Sequence, residues 1–131
     1  MDAMELKHIG PAEYRLQEDR SIFVRIPIEL TDPAGETLVL RWHDSRVSLD
    51  GTFEGMKTQM TATAENQGKL AIDTTIPSKF LTSPSRLVFE LQQLDPTERV
   101  LWLADCWPSL ADDKPHLQFT VKKGPKGPDD W

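Results

Sequence analysis

The sequence predicts an all-β protein, an antiparallel β-sandwich of the immunoglobulin-like or jelly-roll kind with about eight short strands. Three observations carry this. Apolar residues alternate with polar ones at period two in segment after segment, which is the spacing that puts one side-chain set on one face of a strand. Turn residues, chiefly Gly, Pro and Asp, interrupt these segments at spacings of roughly ten residues. Two neighbouring segments, residues 85–94 and 99–107, are apolar on both faces, as strands in the middle of a covered sheet are.

The first 20 residues are polar and mixed, and read as an N-terminal arm with a short edge strand at residues 14–17. The sandwich itself spans residues 21–121. In residues 21–30, Ile22, Val24, Ile26, Ile28 and Leu30 alternate with Phe23, Arg25, Pro27 and Glu29. Pro27 has no amide proton to give a ladder, so the strand either lies at a sheet edge or turns its amide side outward there. Asp32-Pro33-Ala34-Gly35 fits a type I turn and predicts a hairpin into the next strand. That strand, residues 37–43, sets Leu38, Leu40 and Trp42 on one face.

Asp50-Gly51 sits between residues 46–49 and 52–54 and marks a second hairpin, because this dipeptide tolerates the positive φ angles of a tight turn. Residues 56–65 hold Met56 and Met60 at helical spacing, but three threonines favour an extended strand. Asn66-Gln67-Gly68 turns the chain into residues 69–76, where Leu70, Ile72, Thr74 and Ile76 alternate with polar neighbours. Residues 77–81 have room for one helical turn before Ser83-Pro84 and are expected to cross between sheets. The hairpin of residues 85–94 and 99–107 turns at Asp95-Pro96-Thr97-Glu98, and residues 117–121 form the last strand.

With 131 residues the chain is one domain of ordinary size that needs no metal or disulfide. Charged residues make up 27% and hydrophobic ones 38%, with a net charge of −6, which argues for a soluble protein and against nucleic acid or anionic membrane as partners. The single cysteine, Cys106, excludes an intrachain disulfide and points to synthesis in a reducing compartment. No apolar run has the length to span a bilayer, and the first residues lack a signal-peptide pattern.

The reaction chemistry is sparse. Trp42-His43-Asp44-Ser45 sets three triad residue types side by side, but neighbours on a strand point to opposite faces and a triad converges from separate segments. Cys106 would need His8, His43 or His116 as its base; in an apolar strand it reads as a small buried hydrophobe. Asp32 with Glu36, Asp44 with Asp50, Asp112 with Asp113, and Asp129 with Asp130 are acidic pairs in loops, without the alternating pattern of a calcium loop, and read as solvated turn residues. No catalytic, cofactor-binding or metal residues are therefore assigned, and an enzyme ranks last. Trp42 and Trp102 fall on the apolar faces, leaving Trp107 and Trp131 as the exposed indoles. Two partner-binding candidates follow: an edge strand marked by Arg25, Pro27 and Glu29, and an aromatic platform at Trp107.

The final strand runs into Lys122-Lys123-Gly124-Pro125-Lys126-Gly127-Pro128-Asp129, where glycine recurs at a spacing of three with proline after each. Residues 122–131 read as an exposed linker opening a collagen-like stalk, since glycine at every third position lets three polyproline-type chains meet at a crowded axis. The register stops at Asp130. A β-sandwich of this size followed by Gly-Pro-Lys-Gly-Pro-Asp resembles the N-terminal attachment domains of bacteriophage tail-fibre, baseplate and receptor-binding proteins. The resemblance implies a non-enzymatic structural module, trimeric, located in the virion after assembly in the host cytoplasm, with virion or baseplate proteins as partners. It carries over no site residue. The alternative is a carbohydrate-binding or adhesion module of a larger protein, with a glycan at Trp107.

Overall fold

The protein's fold comes from a computed structural model that describes residues 4–46 and 58–126. Its strands are β1 (Glu5–Ile9), β2 (Glu13–Leu16), β3 (Ile22–Thr31), β4 (Thr37–Asp44), β5 (Thr58–Thr61), β6 (Lys69–Ile76), β7 (Leu87–Asp95), β8 (Arg99–Ala111) and β9 (Lys114–Lys123). They make two antiparallel sheets. In one, β3 pairs with β6 along one side and with β1 and β2 in succession along the other; the second has the order β5-β4-β7-β8-β9. The all-β sandwich read from periodicity is the fold observed.

The alternating residues do what period two requires of them. Ile22, Val24, Ile26, Ile28 and Leu30 of β3 are buried, as are Ile72, Thr74 and Ile76 of its partner β6. From the facing sheet come Leu38, Leu40 and Trp42 of β4, Leu87, Phe89 and Leu91 of β7, Trp102, Ala104 and Cys106 of β8, and Leu117 and Phe119 of β9. Aromatic rings knit this second inner face together: Trp42 stacks on Phe89 at 6.2 Å, Phe89 meets Phe119 edge-on at 5.4 Å, and Phe119 packs on Trp102 at 5.9 Å. Phe80, from the short turn of 3₁₀ helix at Ser78–Phe80, closes on Trp42 edge-on at 5.5 Å, where the chain crosses from β6 to β7 and so between sheets.

Four sequence expectations need correction. The strand containing Arg25, Pro27 and Glu29 is not an edge: β3 is the middle of its sheet, with neighbours on both sides. The proline is accommodated because its nitrogen faces the junction between β1 and β2, where the chain is out of strand; there Gly10 N–H donates to the Pro27 carbonyl at 2.9 Å. Gly10 suits this contact, since a Cβ on it would lie 3.0 Å from the Pro27 ring.

The turn at Asp32-Pro33-Ala34-Gly35 does not form a hairpin, because β3 and β4 belong to different sheets. Asp32 adopts φ 48° and Gly35 φ 92°, and the emerging chain is captured by the segment after β5: Gly35 N–H donates to the Ala62 carbonyl and Ala62 N–H to the Glu36 carbonyl. The N-terminal arm is more structured than polar composition implied. Residues 14–17 do hold an edge strand, β2, but β1 precedes it and buries Leu6 and Ile9. A register shift between Leu6 and His8 breaks its period, which hides β1 from a pattern search.

Val121 does not end the fold. Strand β9 continues to Lys123, and β8 runs on to Ala111, the two joined through Asp112 and Asp113 at φ 53° and 60°, as a two-residue hairpin turn with both central residues left-handed requires. The hairpin of β7 and β8 is central in its sheet as expected, and residues 56–65 contain the strand β5 rather than a helix. The predicted hairpin at Asp50-Gly51 lies outside the described residues.

Candidate functional site

The inner faces are filled by core, so any site must lie on outer faces, edges or ends. Counting back from the turn at Asp112 and Asp113, Trp107 stands opposite Gln118 and Ser109 opposite His116. Since Cys106, Leu117 and Phe119 point into the core, these four residues project from the outer face. Beside them passes the segment of residues 81–85, which leads into β7. The two borders enclose an open groove of about 390 Å³, with Trp107, 37% exposed, as its large apolar side chain.

The groove's hydroxyl groups are oriented from behind. Thr82 donates to the Lys79 carbonyl at 3.2 Å, Ser85 to the Ser83 carbonyl at 3.2 Å and Ser109 to the His116 carbonyl at 3.4 Å. With the protons of these three hydroxyls engaged, their oxygens are left as acceptors. His116 Nδ1 lies 3.4 Å from the Tyr14 hydroxyl of β2, which ties the groove's far wall to the other sheet. One turn further, Arg20 pairs with Asp113 at 2.8 Å and adds a second link between the sheets at this end.

The other candidate is not assembled. Arg25 forms a two-pronged pair with Asp73 of β6 at 2.9 and 3.1 Å, Pro27 faces Gly10, and Glu29 lies between His8 of β1 and Lys69 of β6 in the ladder. Without a free edge, these three residues offer no backbone row for a partner strand. The basis on which Arg25, Pro27 and Glu29 were grouped is therefore gone.

Nor do the nucleophile candidates gather partners. Cys106 is buried between Leu87 and Phe119 of the neighbouring strands, and desolvation pushes its thiol far above the ordinary range, so it stays protonated. Asp44 is held by Arg46, whose Nη2 lies 2.7 Å from Asp44 Oδ2; those hydrogen bonds lower the Asp44 carboxyl below the usual carboxylate range despite its burial. Ser45 is engaged through its backbone N–H, which donates to the Arg86 carbonyl at 2.9 Å. The His-Asp-Ser run is a strand end, as its adjacency implied. Among the described residues no group of three or more His, Cys, Asp or Glu side chains is placed to hold a metal ion. No helix among them is long and apolar enough to cross a membrane.

Sequence reading named Trp107 but missed Ser83, Ser85, Ser109 and Gln118, and named His116 only as a possible base for Cys106. A signal existed for part of the set: with the Asp112–Asp113 turn recognised, the pairs 107 with 118 and 109 with 116 follow by counting. The contribution of residues 81–85 had no local signal, since it depends on where the crossover lies. The fold thus defines an all-β sandwich, and the groove at Trp107 is a recess with apolar and polar lining together. The chain matches no protein-family model, no curated protein and no solved structure.

Proposed function

We propose that this protein is a non-enzymatic attachment module of a bacteriophage tail-fibre or baseplate protein, working as a homotrimer in the virion and joining it to a distal host-binding part. The observation that supports this reading is the exit of the chain. Strand β9 ends at Lys123, Gly124 follows it at a positive φ, and the sequence continues as Pro125-Lys126-Gly127-Pro128.

One feature narrows the stalk. Gly124 adopts φ 95°, and a Cβ there would lie 2.5 Å from the Leu101 carbonyl oxygen, so the sandwich itself requires glycine at this position. A collagen chain has its glycines at negative φ near −75°. Gly124 is therefore fixed by the domain, and on this reading the glycine that opens the stalk is Gly127. Light scattering on the 131-residue chain, and on a form extended past Trp131 by Gly-Pro-Pro triplets in register with Gly127, tests the reading. A trimer in the extended form supports it, and a monomer in both forms refutes it. A second reading, a carbohydrate-binding or adhesion module, draws on the half-exposed indole of Trp107.

A further inference from the structure

The geometry points to the Trp107 groove as a binding site for an uncharged saccharide. Its chemistry selects for this ligand class in three ways. First, among the described residues no Asp, Glu, Lys or Arg lines the groove, although 27% of the chain is charged. An ionic ligand would find no permanently charged side chain there, only the imidazole of His116, and an anionic one would also meet a chain of net charge −6. Second, Thr82, Ser85 and Ser109 have their O–H protons directed at backbone carbonyls, so they present acceptor oxygens. Acceptors of this kind suit a ligand that brings many O–H donors. The exposed Gln118 amide, opposite Trp107, adds both a donor and an acceptor.

Third, a half-exposed indole supplies an apolar surface for the C–H face of a sugar ring, next to polar groups that fix its orientation. A volume of about 390 Å³ lies in the range of small-ligand sites. A phosphate or sulfate ester would find no Lys or Arg in the lining.

The inference rests on the second reading above and narrows it to neutral sugars, and it does not depend on attachment. A monomer that binds sugar removes the fibre reading and leaves this one intact, whereas a preference for anionic glycans removes this one and leaves the second reading standing. The test is a panel of neutral oligosaccharides, of hexose and N-acetylhexosamine types, alongside sialylated and sulfated glycans and a polyproline peptide. Binding is followed by tryptophan emission and calorimetry. Neutral sugars are expected to bind and to shift the emission, with affinity falling about tenfold in Trp107→Ala for the lost ring contact. Gln118→Ala, at an exposed position, is expected to lower affinity about fivefold, the worth of a hydrogen bond. Trp107→Phe retains part of the binding. The proposal is overturned if no neutral sugar binds at concentrations on the order of 10 mM, if binding survives both alanine variants, or if the anionic glycans or the polyproline peptide bind in preference. Should Trp107→Ala lose its cooperative unfolding, Gln118→Ala decides alone.

Discussion

The indole Nε1 of Trp42 donates to Thr74 Oγ1 at 2.9 Å, a buried hydrogen bond that joins β4 of one sheet to β6 of the other through the middle of the core. Most of the surrounding contact is apolar, which has no directional preference, and next to it Thr58 Oγ1 of β5 donates to the Asp73 carbonyl of β6 at 2.6 Å. The Trp42 bond gives their packing a fixed alignment, and it satisfies an indole N–H that no water reaches.

Thr74→Val keeps the shape of the side chain and removes the acceptor. The stranded N–H is expected to cost about 1–3 kcal/mol, read as a lower urea midpoint with an unchanged m-value. Thr74→Ser retains the oxygen and loses less than the valine variant. Equal stability for Thr74→Val and the parent protein would show that the bond contributes nothing.

Two left-handed glycines are expected to respond differently to alanine. Gly68 has φ 76°, and a Cβ there would fall 2.3 Å from the Leu30 carbonyl oxygen, inside the contact between the 66–68 turn and the end of β3. Gly35 has φ 92° but open space around it. Gly35→Ala should cost only the conformational penalty, about 1 kcal/mol, whereas Gly68→Ala adds a backbone clash and should lower the melting temperature clearly further. Equal losses would contradict the packing at Gly68.

The Cys106 thiol should be inert in the folded protein. Burial both blocks access and holds it protonated, and the thiolate is the reactive form. An aromatic disulfide reagent at neutral pH is expected to react at the rate of unfolding and no faster, with full reaction in denaturant. Fast labelling of the native protein would mean that this part of the core opens.

Asp44 should contribute a pH-dependent element of stability. Its folded carboxyl lies below the ordinary range because Arg46 hydrogen-bonds it. A depressed carboxylate contributes stability that is fully present above the unfolded value, about 3.9, and is lost as the pH falls through the folded value. Unfolding free energy should therefore decline on acidification below about pH 4, and Asp44→Asn should flatten that decline. An unchanged acid slope in the variant would remove Arg46 as the cause.

Local pattern was most informative where each strand has one buried face. The alternation in residues 69–76 marks β6 to both of its ends, and the same signal in β3 separates Ile22, Val24, Ile26, Ile28 and Leu30 from their neighbours. It fails at β1, whose bulge between Leu6 and His8 shifts the phase, and it misplaces Pro27, whose lack of an amide proton is compatible with an edge or with a break in the adjacent strand. At the candidate site, the indole of Trp107 was legible as exposed because it stands beside Pro108, off the apolar face that carries Trp102, Ala104 and Cys106, while its hydroxyl neighbours from residues 81–85 were not.

What residue order settles here is which side of each strand is apolar, where turns interrupt it, and that Cys106, Trp42 and Trp102 belong to the core, since these depend on spacing within a few residues. Partnership between strands was decided only in three dimensions. Whether β3 is an edge, whether the Asp32–Gly35 turn returns to its own sheet, and whether Gly124 starts a repeat or closes a domain each depend on a contact with a distant segment: Gly10 against Pro27, Ala62 against Gly35, Leu101 against Gly124. Such contacts are selected by burial and hydrogen-bond satisfaction summed over the whole sandwich, and no short stretch of chain contains that sum.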